Sequence, residues 1–289
     1  MNPCSRNLPF DFRKGWRYKA RQRMDANLLI ICGLTFVIHF IGTLAYAARI
    51  SGVRTGHIAT ALTIFNLLII VSRTSNSFQA PFLAKRIETN LSTSASPLLA
   101  DFQWILASAA LATLCGAFLV PSAQRAFSRA VGLLQTHRSL YRLLLHGIHP
   151  RRLLMARRYL AMPASANFRC LTTRGGLSWG FLGLNTFAVS LWTVGVFASL
   201  YAGALEPAFR VTCSNLSSII NGAATIVMFL LLDPQLSLLT DDVAHRRVSQ
   251  GTFRSAIASL VGARLAGVLL AQFLLFPSAL LIASVARHI

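Results

Sequence analysis

Residues 27–48 read NLLIICGLTFVIHFIGTLAYAA, 22 residues without a single charge. A bilayer's hydrocarbon core takes about 20 apolar residues of helix to cross, so this stretch reads as a transmembrane helix. Working outward, a window of about 19 residues finds five further apolar segments, at 57–72, 102–120, 177–201, 213–232 and 256–285. The fold class that follows is an all-α, polytopic integral membrane protein with about six transmembrane helices. The second segment is short, about 16 residues or 24 Å of helix. It must thin the bilayer, extend through Arg73 to Phe78, or be re-entrant.

The whole chain agrees with its first span. Of 289 residues, 54% are hydrophobic and only 12% charged, whereas a soluble domain carries about 25% charged residues. Its mean hydropathy is +0.57. That excludes an ordinary soluble enzyme, and it excludes a disordered chain, which has too few apolar residues to offset the entropy of ordering. The 28 Lys and Arg against 8 Asp and Glu leave a formal charge of +20, carried mostly between the apolar segments. Charge in those places points to anionic phospholipid headgroups or phosphates as partners. Nucleic acid is set aside, because the cations are split among loops and a tail and do not gather on one soluble face. The five cysteines show no C-x-x-C spacing for zinc or redox chemistry. No cofactor or metal is expected.

Residues 1–26 form a basic tail and 27–289 a single transmembrane domain, within which 121–176 is a basic connector with ten arginines and no acidic residue. Inside the connector, Phe127, Val131, Leu134, Leu140 and Leu144 recur near helical period, predicting an amphipathic helix over 125–145 that lies in the interface. Orientation is contradictory. The tail holds seven cations and the positive-inside rule puts it in the cytoplasm, yet three spans separate it from the connector. The connector decides, since loops on its side hold fifteen Lys and Arg against four on the other, and it is placed in the cytoplasm. Met24 directly precedes the first apolar run, and translation is expected to begin there, residues 1–23 being an upstream extension.

Polar residues inside spans are functional candidates, because each ionisable group there costs about 2.5–3.5 kcal/mol to insert. His39, Thr43 and Tyr46 form one stripe ending at Arg49; it reads equally as interhelical packing or as a transport pathway. In the fifth segment Asn215, Ser218, Asn221 and Thr225 lie at helical spacing before Asp233-Pro234. Ser218 and Thr225 read as packing, Asn221 as functional. Arg264 is the one cation committed to the last span, free to snorkel, to pair with Asp233, Asp241 or Asp242, or to meet a lipid phosphate. Arg49 and Arg54, with Arg73, Asn76 and Gln79, supply the donors that suit a diphosphate. Strict alternation puts these two clusters on opposite sides, so one joint site requires re-entrant or alternating geometry.

The stretch HFIGTLAYAARISGVRT (39–55), with Phe65-Asn66 and VSRTSNSFQAP (71–81), resembles the Amj-type lipid II flippases, the bacterial family that substitutes for MurJ. YAGA (201–204), SNLSSIINGAAT (214–225) and DPQLSLLTDD (233–242) resemble the family's second block. The likeness covers most of 27–289 but neither the first 23 residues nor the connector. It implies transport of lipid II, the undecaprenyl-diphosphate-linked disaccharide-pentapeptide, across the bacterial cytoplasmic membrane for peptidoglycan synthesis. In that role Arg49, Arg54, Arg73 and Arg264 would meet phosphates, and Asn76, Gln79, Asn215 and Asn221 sugar or peptide. His39, Thr43, Tyr46 and Asp233 would line the pathway. One departure stands out: where the family has Glu in an Ile-Glu-Thr-Leu-Ala-Tyr motif, this chain has Gly42.

Two other classes compete. An enzyme acting on lipid phosphates needs a nucleophile set or repeated Asp clusters for magnesium, and neither pattern is present. GLSWG (176–180) matches a nucleophile-elbow string without a placed His and is taken as chance. A non-transporting membrane scaffold would account for the basic connector and Gly42 together.

Overall fold

The computed structural model describes residues 25–93, 98–139, 141, 161 and 174–289. Gly56, in a left-handed conformation (φ 74°), ends α1 (Ala26–Thr55) and turns the chain back into α2 (Ile58–Thr93). The two helices form an antiparallel hairpin. Of the three alternatives for the second span the structure shows extension, through and beyond Phe78, and not a short or re-entrant segment, because α2 is an unbroken helix of 36 residues, about 54 Å long. Its polar run satisfies itself within the helix: Thr74, Ser75 and Ser77 return their hydroxyls to the carbonyls of Ile70, Val71 and Arg73 at 3.0–3.1 Å. It also leans on α1, where Gln79 donates to Thr35, and Ser72 Oγ reaches the Ile38 carbonyl at 3.5 Å.

α3 (Leu98–His137) is one helix of 40 residues that continues through Pro121. The separate interfacial helix expected over 125–145 is therefore, through His137, the end of α3. Its apolar face is not spent on headgroups. Val131 is fully buried and, with Phe127 and Ala130, packs on Ala61 and Ile64 of α2. Most of the remaining connector, the basic tail and Met24 lie outside the described residues.

α4 (Trp179–Leu205) starts at Ser178, whose Oγ accepts from the Phe181 amide at 3.1 Å. The fifth span, Pro207–Ala244, is composite: α5 (Arg210–Ile226), a widened π-type turn at Val227–Leu232, and α6 (Asp233–Ala244). Pro234 has no N–H to return to the preceding turn, and the helix widens just before it. α7 (Gln250–His288) is capped by Ser249 and completes, among the described residues, six helices long and apolar enough to cross a membrane.

Close pairing of α1 with α3 and of α4 with α7 builds the core. Small residues permit it: Ala47 and Ala48 are fully buried, and a Cβ at Gly116 would come within 2.8 Å of Thr43 Cβ. On the other pair, Thr186 Oγ1 donates to the Ala263 carbonyl at 3.2 Å. Phe102 stands edge-on to Phe197 and Tyr201 at 6.2 and 5.5 Å, joining the two pairs near one end. At that end Arg86 pairs with Asp101 at 2.8 Å and with Asp25 at 3.5 Å, and Arg287 pairs with Glu206. The opposite end carries Arg54, Arg125, Arg129, Arg246, Arg247 and Arg254. Because α1 begins at the first end and the connector leaves α3 at the second, the tail and the connector adjoin opposite ends of the bundle.

Candidate functional site

Faces of α1, α2, α4, α7 and the α6 region enclose a cavity of about 320 Å³. Counted at about 1.5 Å per residue from the connector end, Arg73 lies about 22 Å along α2, Arg264 about 21 Å along α7 and Arg49 about 9 Å along α1. Two of the three arginines are thus nearer the middle of their helices than the ends. α2's unbroken course is what carries Arg73 there, and it brings together the two clusters that strict alternation of loops separates.

Each arginine is held differently. Arg49 Nη2 donates to Asp233 Oδ1 at 3.3 Å, and its guanidinium lies 5.3 Å from the Phe65 ring centroid. The widened turn before Asp233 helps present this carboxylate to α1. Arg73 stacks over Trp192 at 5.0 Å. Arg264 forms no ion pair among the described residues, neither with Asp233 nor with Asp241 or Asp242. Its guanidinium lies against Gly42, where a Cβ would run into Nη2. The absent side chain at position 42 is therefore the space that the cation occupies. The carboxylate implied there by the resemblance would stand against Arg264.

Three buried polar atoms around this one cavity have no hydrogen-bond partner among the described residues: Arg264 Nε, Asn185 Nδ2 and His39 Nδ1. Buried polar atoms left unpaired cost about 1–3 kcal/mol each, so a ligand or water that pairs these three gains by doing so. The lining also holds Tyr46, Asn66, Asn76 and Thr193. Three arginines against the single Asp233 make it formally +2. A forked donor set of this charge matches a dianionic phosphate group.

Of the residues expected from the sequence, His39, Tyr46, Arg49, Arg73, Asn76, Asp233 and Arg264 line the cavity. Five do not. Thr43 lies one residue on from Gly42, about 100° round the helix, so it packs under Gly116 of α3 and bonds its own backbone at His39. Gln79 is buried between α1 and α2 on Thr35. Arg54 is exposed at the end of α1 and Asn215 is exposed on α5. Asn221 Oδ1 is buried where a Cβ on Gly195 of α4 would come within 2.7 Å of it, so this amide packs helices. Trp192 and Asn185 were not expected. Asn185 is the sole amide of α4, a signal the sequence did contain. Among the described residues no three His, Cys, Asp or Glu side chains lie together.

Comparison with known proteins places the chain. No solved structure matches the chain. A curated protein of Bacillus subtilis (strain 168), named Lipid II flippase Amj, is 35% identical over 257 residues, which are 89% of this chain and 95% of that protein. The family model described as Amj, Alternate to MurJ, matches residues 34–286, a stretch that contains every residue of the cavity. The chain belongs to the Amj family.

Proposed function

We propose that this protein is a lipid II flippase, moving undecaprenyl-diphosphate-linked disaccharide-pentapeptide across the bacterial cytoplasmic membrane for peptidoglycan synthesis. The observation that carries the reading is the cavity of formal charge +2 between helices long and apolar enough to cross a membrane, with Arg264 in no ion pair among the described residues. A flippase must shield a diphosphate and sugars from hydrocarbon, which costs several kcal/mol for each polar group left without a partner. Arg49, Arg73 and Arg264 supply the phosphate contacts in this reading. Asn66, Asn76 and Asn185 are amides suited to sugar or peptide groups. No bond need be made or broken, so the chain acts as a carrier. The basic end of the bundle faces the cytoplasm and holds anionic phospholipids.

Asp233 gives the cavity a way to change state. Arg49 is shared between that carboxylate and any incoming phosphate, and exchange of one for the other removes the ion pair that joins α1 to α6. The test is complementation in a bacterium depleted of its known lipid II flippases. Growth on the native chain is the expected result; failure with verified membrane expression overturns the reading. Gly42→Glu provides a second expectation. The new carboxylate pairs with Arg264, and calorimetry with isopentenyl diphosphate is expected to show affinity lowered about tenfold, the equivalent of about 1.4 kcal/mol. Unchanged affinity would remove Arg264 from the phosphate site.

A further inference from the structure

The cavity is closed on most sides by helix pairs. α1 and α2 form one flank as a hairpin, and α4 and α7 pack as the other. Between α2 and the fifth span, however, no Cα atoms approach within 8 Å of one another among the described residues. Two bridges border this gap: the Arg73 guanidinium on Trp192 joins α2 to α4, and the Arg49–Asp233 pair joins α1 to α6. Ile69 on α2 and Met228 and Phe229 on the widened turn flank the cavity at the gap, with Phe229 60% exposed.

We propose that this gap is a slot for a long apolar chain, so that one amphiphile rests its anionic head on the arginines and passes its tail between α2 and the fifth span into the bilayer. The inference rests on the reading of the arginine site given above and adds where the tail leaves. A water-soluble anion would satisfy the arginines without any opening toward hydrocarbon. A bilayer phospholipid that kept its head at the membrane surface would bring only acyl chains against guanidinium groups and leave Arg264 Nε and Asn185 Nδ2 unpaired. Only a ligand that is polar at one end and a long hydrocarbon at the other satisfies both surfaces together. The side chains agree with that division. Polar atoms converge inside, while Ile69 on α2 and Met228 and the exposed Phe229 on the fifth span give the lining apolar surface on both sides of the gap. The π-type turn contributes here as well, because it carries both Met228 and Phe229 to the cavity directly ahead of Asp233.

The test uses the full chain in lipid nanodiscs of phosphatidylethanolamine and phosphatidylglycerol containing a small fraction of undecaprenyl diphosphate. Phe229→p-benzoylphenylalanine reports what occupies the gap; the same label at Leu111, 55% exposed on α3 and away from the cavity, reports the bulk lipid. On illumination, the ratio of polyprenyl to phospholipid adducts at position 229 is expected to exceed that at position 111 at least tenfold. Equal ratios at the two positions overturn the slot. Ile69, on the α2 side, takes the label if the Phe229 variant does not fold, and the same two outcomes apply. Isopentenyl diphosphate, a head with almost no tail, separates this inference from its premise. Binding of that probe with no polyprenyl preference in the gap overturns the slot and leaves the arginine site standing. Absence of binding overturns the arginine site, and the slot with it.

Discussion

Arg264→Ala is expected to abolish rescue of a flippase-depleted bacterium and to weaken isopentenyl diphosphate binding about ten- to a hundredfold, the size of a lost hydrogen bond to a charged group at about 1.5–3 kcal/mol. The same substitution leaves the thermal midpoint unchanged or raises it. Arg264 pairs with no carboxylate among the described residues, and its Nε is buried without a partner, so truncation removes an unfavourable group and orphans nothing. That opposition of signs marks a residue kept for function at the expense of stability. Arg264→Lys restores the charge without the fork and is expected to recover only part of the binding. Full rescue by the Ala variant would show that the cation is a passive feature of α7.

Arg86→Ala has the opposite character. Arg86 holds Asp101 at 2.8 Å, and that carboxylate is only 1% exposed. Breaking a buried ion pair from one side costs about 3–5 kcal/mol, because the remaining charge keeps its desolvation penalty. The pair also joins three elements, since Asp25 precedes α1, Arg86 lies in the last third of α2 and Asp101 in the first turn of α3. The Asp25 arm is 65% exposed and is worth less than about 1 kcal/mol. Melting in detergent therefore separates the three groups: a large loss for Arg86→Ala, almost none for Asp25→Ala, and partial recovery when Asp101→Asn is added to Arg86→Ala. A wild-type melt for Arg86→Ala would show that the end of the bundle is held by other contacts.

Six spans were legible because hydrocarbon imposes one requirement on every segment, and apolar length reports it directly. Their limits were less so. α2 outruns its apolar run by some twenty residues, since Ser and Thr hydroxyls can close on their own helix and Gln79 on Thr35, and hydropathy counts those groups as exits from the membrane. The interfacial helix misleads for a related reason. An amphipathic face indicates that something apolar covers it, and in this protein α2 does so where a headgroup layer was expected.

By itself, the sequence determined the class of molecule, the basic end of the bundle, the inventory of intramembrane cations and the family likeness, for each depends on local composition or on matched residues. Only the tertiary structure decided which polar residues share a cavity. Thr43 and Gly42 are neighbours in the chain yet face different helices, and Gly42 acquires meaning solely because Arg264, more than two hundred residues later, fills the space beside it. Asn221 read as a functional residue within a span and Arg73 as part of a cluster beyond one; packing against Gly195 made the first a spacer, and the unbroken course of α2 put the second on the cavity. Helical periodicity gives the direction of a side chain about its own axis, but which neighbour stands in that direction is set by how closely small residues let the helices approach.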